Sequence, residues 1–226
     1  LRQRPPLACG DFRPAERRRL IVDDSLASLR AEIGACRICR ESPFGRHLPH
    51  EPRPVVVPSS TARILIAGQA PGTKVHATGL PFNDASGDRL RDWLGVSRDE
   101  FYDPDKFAIV PMGFCFPGQD AKGGDLPPRR ECAPAWRTRL LALMPQIELV
   151  LAIGLYAQSW HLGTLGRASL TQTVMDWREI HDAASAPKTL PLPHPSWRNS
   201  GWIRKNPWFE TELLPFLRME IRGRLS

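Results

Sequence analysis

Short apolar runs that each stop at a glycine or proline turn, separated by stretches of helical spacing, constrain this chain most. Ile64-Leu65-Ile66-Ala67 enters Gly68-Gln69-Ala70-Pro71-Gly72, and Leu149-Val150-Leu151-Ala152-Ile153 stops at Gly154. Phe107 to Val110 and Thr189 to Leu192 are runs of the same kind, the second leading into Pro193-His194-Pro195-Ser196. Runs without polar alternation suit strands buried on both faces. Helical patterns lie around them: Arg17 to Ala35, Ser86 to Leu94 with Ser86 as a candidate N-cap, Arg129 to Met144, a helix through Trp160, Leu170 to Ile180, and Pro207 to Arg222. Alternation of this sort implies an α/β fold, with helices on both faces of a central four-stranded parallel sheet in three αβα layers. Ligands of such sheets sit beyond the carboxyl ends of the strands. Residues 68–72, 111–118 and 193–198 fall at those ends.

A chain of 226 residues suits one domain with a sizeable core, although two small ones would fit. The reading adopted is a single domain over 1–226, with an N-terminal arm and helix at 1–35. A cysteine turn and a wrap rich in proline (Pro43, Pro49, Pro52, Pro54, Pro58) occupy 36–60. No apolar run is long enough to span a bilayer, and residues 1–10 hold no signal-like apolar stretch. A cytoplasmic protein is therefore expected. The net charge of +7 is concentrated at the two ends. Residues 1–20 carry six Arg against Asp11 and Glu16, and residues 191–226 carry six Lys or Arg against three Glu. A basic surface built from both ends fits a polyanion binder; ordinary solvated charge is the bland alternative.

Five cysteines are present: Cys9, Cys36, Cys39, Cys115 and Cys132. An odd count in an intracellular chain argues against a disulfide framework. The spacing of Cys36-x-x-Cys39 lets two thiolates reach one metal centre, and is equally compatible with a redox dithiol or with coincidence.

Taken singly, the loop motifs say little. Gly68-Gln69-Ala70-Pro71-Gly72 marks a tight turn. Thr78-Gly79-Leu80-Pro81-Phe82, followed by Ser86-Gly87, brings an aromatic near that turn, where it can stack on a flat base or simply pack in the core. The prolines of Pro193-His194-Pro195-Ser196 stiffen the backbone around an imidazole, and Ser196 can bond a phosphate, or the segment is a surface loop.

Together, in this order, the three motifs resemble those of the uracil-DNA glycosylase superfamily, most closely its iron–sulfur branch, over roughly residues 30 to 217. That branch has Gly-Glu-x-Pro-Gly, Thr-Gly-x-Pro-Phe and His-Pro-Ser. The resemblance implies a DNA glycosylase of base excision repair, a nucleoid-associated monomer. It would hydrolyse the N-glycosidic bond of uracil or a related base, in single- or double-stranded DNA, after flipping the nucleotide out. It also implies a [4Fe–4S] cluster held by Cys36 and Cys39 with Cys115 and Cys132, zinc or no metal being the alternatives. Cys9 has no counterpart.

The same resemblance distributes roles. His194 and the main chain of the turn at Gly68 and Ala70 would stabilise the departing base. Phe82 would stack on it, and Gln69 would place the base or water. Trp197 or Arg198 would fill the gap left by the flipped nucleotide, with Ser196, Arg204 and Lys205 on phosphates. Trp202 and Trp208 either face DNA or anchor the last helix.

Two departures stand out. Where other branches place an acid near the first motif, this chain has Ala70 and then Thr73-Lys74-Val75-His76, leaving Asp84 and His76 as the nearest water-orienting candidates. The family reads uracil with an Asn shortly before the third cysteine; here Val110-Pro111-Met112-Gly113-Phe114 has none, and Asn83 is the nearest amide. Hypoxanthine, xanthine or a 5-substituted uracil are thus candidate substrates beside uracil. The segment Gly118 to Arg130 lacks the His of the covalent-trapping variant, so a monofunctional hydrolase is expected. The competing readings are a catalytically weak or inactive DNA-binding protein of the same fold, and an unrelated α/β protein with a redox or zinc site.

Overall fold

The computed structural model describes residues 14–226, with side chains from residue 22 onward. Cys9, Arg2, Arg4 and Arg13 lie outside the described residues, as do the side chains of Arg17, Arg18 and Arg19. Four strands form one wholly parallel sheet in the order β2-β1-β3-β4: β1 Ile64–Ala67, β2 Phe107–Ile109, β3 Leu149–Ile153 and β4 Lys188–Leu192. Successive side chains of a strand point to opposite faces, and each face has its own core. Leu65, Ala67, Ala108, Val110, Val150 and Ala152 pack with Leu26, Leu29 and Ile33 of α1 (Pro14–Gly34). Ile64, Ile66, Phe107, Leu149, Leu151 and Leu190 pack on the other side. Their partners there come from α4 (Ala85–Leu94), α9 (Trp177–Ala183) and α11 (Leu214–Leu225). The three-layer αβα arrangement follows from that double burial.

Short helices complete the path: α2 Ile38–Glu41, α3 Thr73–Thr78, α5 Arg98–Tyr102, α6 Thr138–Ala142, α7 Gly154–Leu162, α8 Leu170–Met175 and α10 Ser200–Lys205. The proline-rich wrap runs as extended chain and screens the free edge of the sheet. Val57 exchanges both main-chain hydrogen bonds with Ile109, at 2.9 and 2.8 Å, so β2 does not present a bare edge there.

Several sequence expectations shift. The cap of α4 is Asp84, not Ser86: the Asp84 side chain accepts from the Gly87 N–H at 2.9 Å, as an N-cap one residue before the helix must. The stretch 170–180 is two helices broken at Asp176. The helix expected from Arg129 begins later, as a π-helical turn Ala133–Arg137 running into α6. A second π-helical turn, Phe209–Leu213, opens α11. Helices α3, α5 and α10 have no clear apolar period at five or six residues, which is why spacing does not reveal them.

Arg137 is wholly buried and joins two parts of this frame. Its Nη1 donates to the carbonyls of Val110 and Pro111 at 2.9 and 2.8 Å, and its Nη2 meets His161 Nε2 at 2.5 Å. Burial lowers the Arg137 pKa to about 9 and, with the neighbouring guanidinium, that of His161 to about 3, so His161 is a neutral acceptor. Arg137→Ala leaves two carbonyls unpaired and a void, and is expected to cost about 3 kcal/mol or more. For a domain of this size that is a drop of roughly 6–12 °C in thermal midpoint, read by calorimetry.

Candidate active site

The carboxyl ends of β1, β2 and β4 open into one cleft of about 560 Å³. Ladder hydrogen bonds run on past the strands. Val110 N–H donates to Ile66 O at 3.0 Å, Met112 N–H to Gly68 O at 2.8 Å, and Gly113 N–H to Gln69 O at 2.9 Å. The turn 68–72 and the loop from Pro111 are thereby one rigid unit, and both line the cleft.

Phe82 lines the cleft in a backbone conformation that few side chains adopt, with φ of 53°. The surroundings enforce it. Tyr102 Oη donates to the carbonyls of Pro81 and Phe82 at 3.0 and 3.2 Å, and Arg91 Nη1 reaches Phe82 O at 3.4 Å. A Cβ on Gly87 would stand 1.7 Å from Phe82 O, so the close passage of α4 under this turn requires glycine. The ring packs edge-on against Phe101 at 6.0 Å. Strain concentrated at a cleft residue is what holding an aromatic face in one place demands.

His194 lies deep in the same cleft. The Ser196 N–H donates to His194 Nδ1 at 3.2 Å, which leaves the ring proton of the neutral imidazole on Nε2. Burial lowers the His194 pKa, against the upward pull of Asp84 and Asp125. The side chain is therefore neutral at pH 7 and offers an Nε2–H donor. Its loop is tied down twice: Asn199 Nδ2 donates to His194 O at 2.7 Å, and Arg89 Nη1 of α4 donates to Ser196 O at 3.1 Å.

Gly68, Gln69, Ala70, Asp84, Ser196, Trp197 and Arg198 share this cleft with Phe82 and His194. Trp197 is 76% exposed at its rim. Gln69 has another duty as well, donating Nε2 to Leu126 O at 3.0 Å. Four candidates stand outside the lining. His76, on α3, packs against His50 and Phe116 with ring centroids 4.5 and 5.7 Å away. Asn83 Oδ1 accepts from Arg98 at 3.4 Å. Arg204 and Lys205 are exposed in the last turn of α10. Trp202 and Trp208 anchor instead: Trp202 Nε1 donates to Thr171 Oγ1 at 2.9 Å, and both rings pack with Phe209. The cleft also takes in Gln119, Gly123 and Asp125, which no motif singles out. Their one sequence signal is an acid beside two glycines, Gly123-Gly124-Asp125, in a loop between two cysteines.

Away from the cleft, Cys36, Cys39, Cys115 and Cys132 line a small hollow with Ile33, Pro52, Pro54, Phe114 and Trp136. All four are free thiols. Trp136 Nε1 donates to Cys36 Sγ at 3.2 Å, and burial pushes the Cys115 thiol up to about 12. Among the described residues no group of three or more His, Cys, Asp or Glu is arranged around a single metal ion.

At the carboxyl end of this α/β sheet, a pinned aromatic and a neutral imidazole donor thus share one cleft. The family model described as the uracil DNA glycosylase superfamily matches residues 54–218, well over half of the chain, and the chain belongs to that superfamily. Its members are in general DNA glycosylases, hydrolases that act on DNA. No helix among the described residues is long and apolar enough to cross a membrane.

Gly87→Ala tests the pinning of Phe82. The new methyl must displace the Phe82 carbonyl or α4, at a cost of about 2–3 kcal/mol. A thermal midpoint lower by roughly 4–12 °C is expected from calorimetry.

Proposed function

We propose that this protein is a monofunctional DNA glycosylase that removes uracil, or a deaminated or modified relative, by hydrolysing its N-glycosidic bond. The observation that carries this reading is the convergence of Phe82 and the neutral, Nε2-protonated His194 in one cleft. A base turned out of the helix would stack on Phe82. As the bond to the sugar breaks, negative charge gathers on the base, and a preorganised donor such as His194 Nε2–H is worth most at that moment. Its neutrality is useful, because no solvent proton has to be lost or gained before it donates. Trp197 and Arg198, at the rim, suit the space vacated in the duplex, and Ser196 suits a phosphate. Arg204 and Lys205 would add phosphate contacts beyond the cleft. Gly68 and Ala70 contribute main-chain shape close to the base.

The absence of an Asn in 110–114 leaves the base open, with hypoxanthine, xanthine and 5-hydroxymethyluracil beside uracil. Single- and double-stranded oligonucleotides carrying one such base each, scored for alkali-labile sites, decide it. Cleavage of one of them, slowed about 10²–10³-fold by His194→Ala, is the expected result. Tight binding with no abasic site from any substrate would overturn the enzyme and favour a DNA-binding protein of the same fold.

The four cysteines suit a [4Fe–4S] cluster as a structural staple. All four line the one hollow, Cys36 and Cys39 from the start of α2, Cys115 from the loop beyond β2 and Cys132 from just before the π-helical turn that carries Arg137. Buried thiolates need a cationic partner, which the cluster's irons would supply. Protein purified without oxygen should contain iron and acid-labile sulfide in equal amounts, lost together in Cys132→Ser. Zinc without sulfide would assign a different metal to the hollow.

A further inference from the structure

Stabilising the departing base is half of hydrolysis; a water must also reach the sugar carbon. Two carboxylates line the cleft, and both are felt by His194. Asp84 is committed to α4, with Oδ1 accepting from Gly87 N–H at 2.9 Å. Asp125 arrives from a different part of the chain, the loop 118–126 between Cys115 and Cys132. That loop is folded by its own bonds. Asp120 Oδ1 accepts from the N–H groups of Lys122 and Gly124 at 2.8 Å, and Leu126 N–H donates to Gly118 O at 2.9 Å. It is also fastened to the cleft from two sides, by Gln69 Nε2 on Leu126 O at 3.0 Å and by Arg198 Nη2 on Gly123 O at 3.5 Å.

This places Asp125 against the first glycine motif. A Cβ on Gly72 would stand 3.3 Å from Asp125 Oδ2, so the carboxylate lies directly against this glycine. Oδ1 accepts from Gln119 Nε2 at 3.3 Å, which orients the carboxylate and leaves Oδ2 toward the cleft wall. An acid next to this turn is what the sequence lacks at Ala70 and over 73–76; the fold supplies one from fifty residues away in the chain, roughly.

We propose that Asp125 orients the attacking water and takes its proton, with Gln69 as the positioning residue that holds the Asp125 loop through Leu126. The inference rests on the glycosylase reading. In the step itself the C1′–N bond breaks and its electron pair leaves with the base, beside His194. The water oxygen bonds to C1′, one water proton passes to Asp125, and a proton from solvent neutralises the base. The products are the free base and an abasic sugar, and Asp125 returns its proton to solvent.

Single-turnover excision on the substrate found for the wild type tests this, alongside affinity for the same DNA. Asp125→Asn is expected to slow excision by about 10²-fold or more. Affinity and thermal midpoint should stay at their wild-type values. Formate, a carboxylate small enough for the vacated space, should restore part of the rate to Asp125→Ala and none to His194→Ala. Gln69→Ala should slow excision while leaving the base preference intact. An Asp125→Asn enzyme as fast as wild type overturns the inference and leaves the glycosylase reading standing. So does a slow Asp125→Asn with weakened DNA binding and no formate response from Asp125→Ala, since that is a structural role. Loss in Asp84→Asn alone moves the water to the other carboxylate and also overturns it. A wild type that excises no base removes the parent reading instead.

Discussion

Three main-chain hydrogen bonds beyond the end of the sheet hold the cleft in shape. The N–H groups of Val110, Met112 and Gly113 donate to the carbonyls of Ile66, Gly68 and Gln69. The parallel ladder of β1 and β2 thus continues into what would otherwise be two independent loops. A glycine turn fixed in this way can present its main chain to a ligand at little entropic cost. The cleft depends on it from both sides, because Gln69 then reaches out to the loop carrying Asp125, while Pro111 forms part of the wall.

The same unit is tied to the cysteine hollow. Arg137 bonds the carbonyls of Val110 and Pro111 from the helix that begins just after Cys132. Cys115 lies a few residues beyond Pro111. Whatever stabilises the four cysteines therefore also stabilises the wall of the cleft, through one buried guanidinium with no acidic partner among the described residues. Burial of that cation is costly, and three hydrogen-bond acceptors offset it: two carbonyls and the neutral His161.

The site was legible in part. His194 and Phe82 stand in ordered motifs at strand ends, and both line the cleft. Local sequence located them because the loop and its strand are contiguous. Asp84 also lines the cleft, yet its carboxylate caps α4, a duty set by the helix start and hidden until the start is known. His76 and Asn83, each adjacent in sequence to a motif, lie outside the lining, since neither α3 nor the turn after Phe82 directs them into it. Nearness in sequence is a poor guide once the chain enters a helix, where direction changes by about 100° per residue. Asp125 was hard to read for the opposite reason: its local mark is only an acid after two glycines, and its place comes from a loop folding back onto Gly72.

By itself the sequence determined the layers. Continuous apolar runs can be satisfied only by burial on both faces, and glycine and proline punctuation ends each strand, so the parallel sheet and its ligand-bearing edge follow from local chemistry. It also determined the family, through three motifs kept in order. Tertiary structure alone decided which polar groups meet. The proton on His194 Nε2 is fixed by the fold of its own loop, the left-handed φ of Phe82 by Tyr102 and the passage of Gly87, and the approach of Asp125 to Gly72 by contacts between distant segments. Such contacts require atoms to be placed to within a few tenths of an ångström by the folded chain, and no periodicity or spacing encodes them.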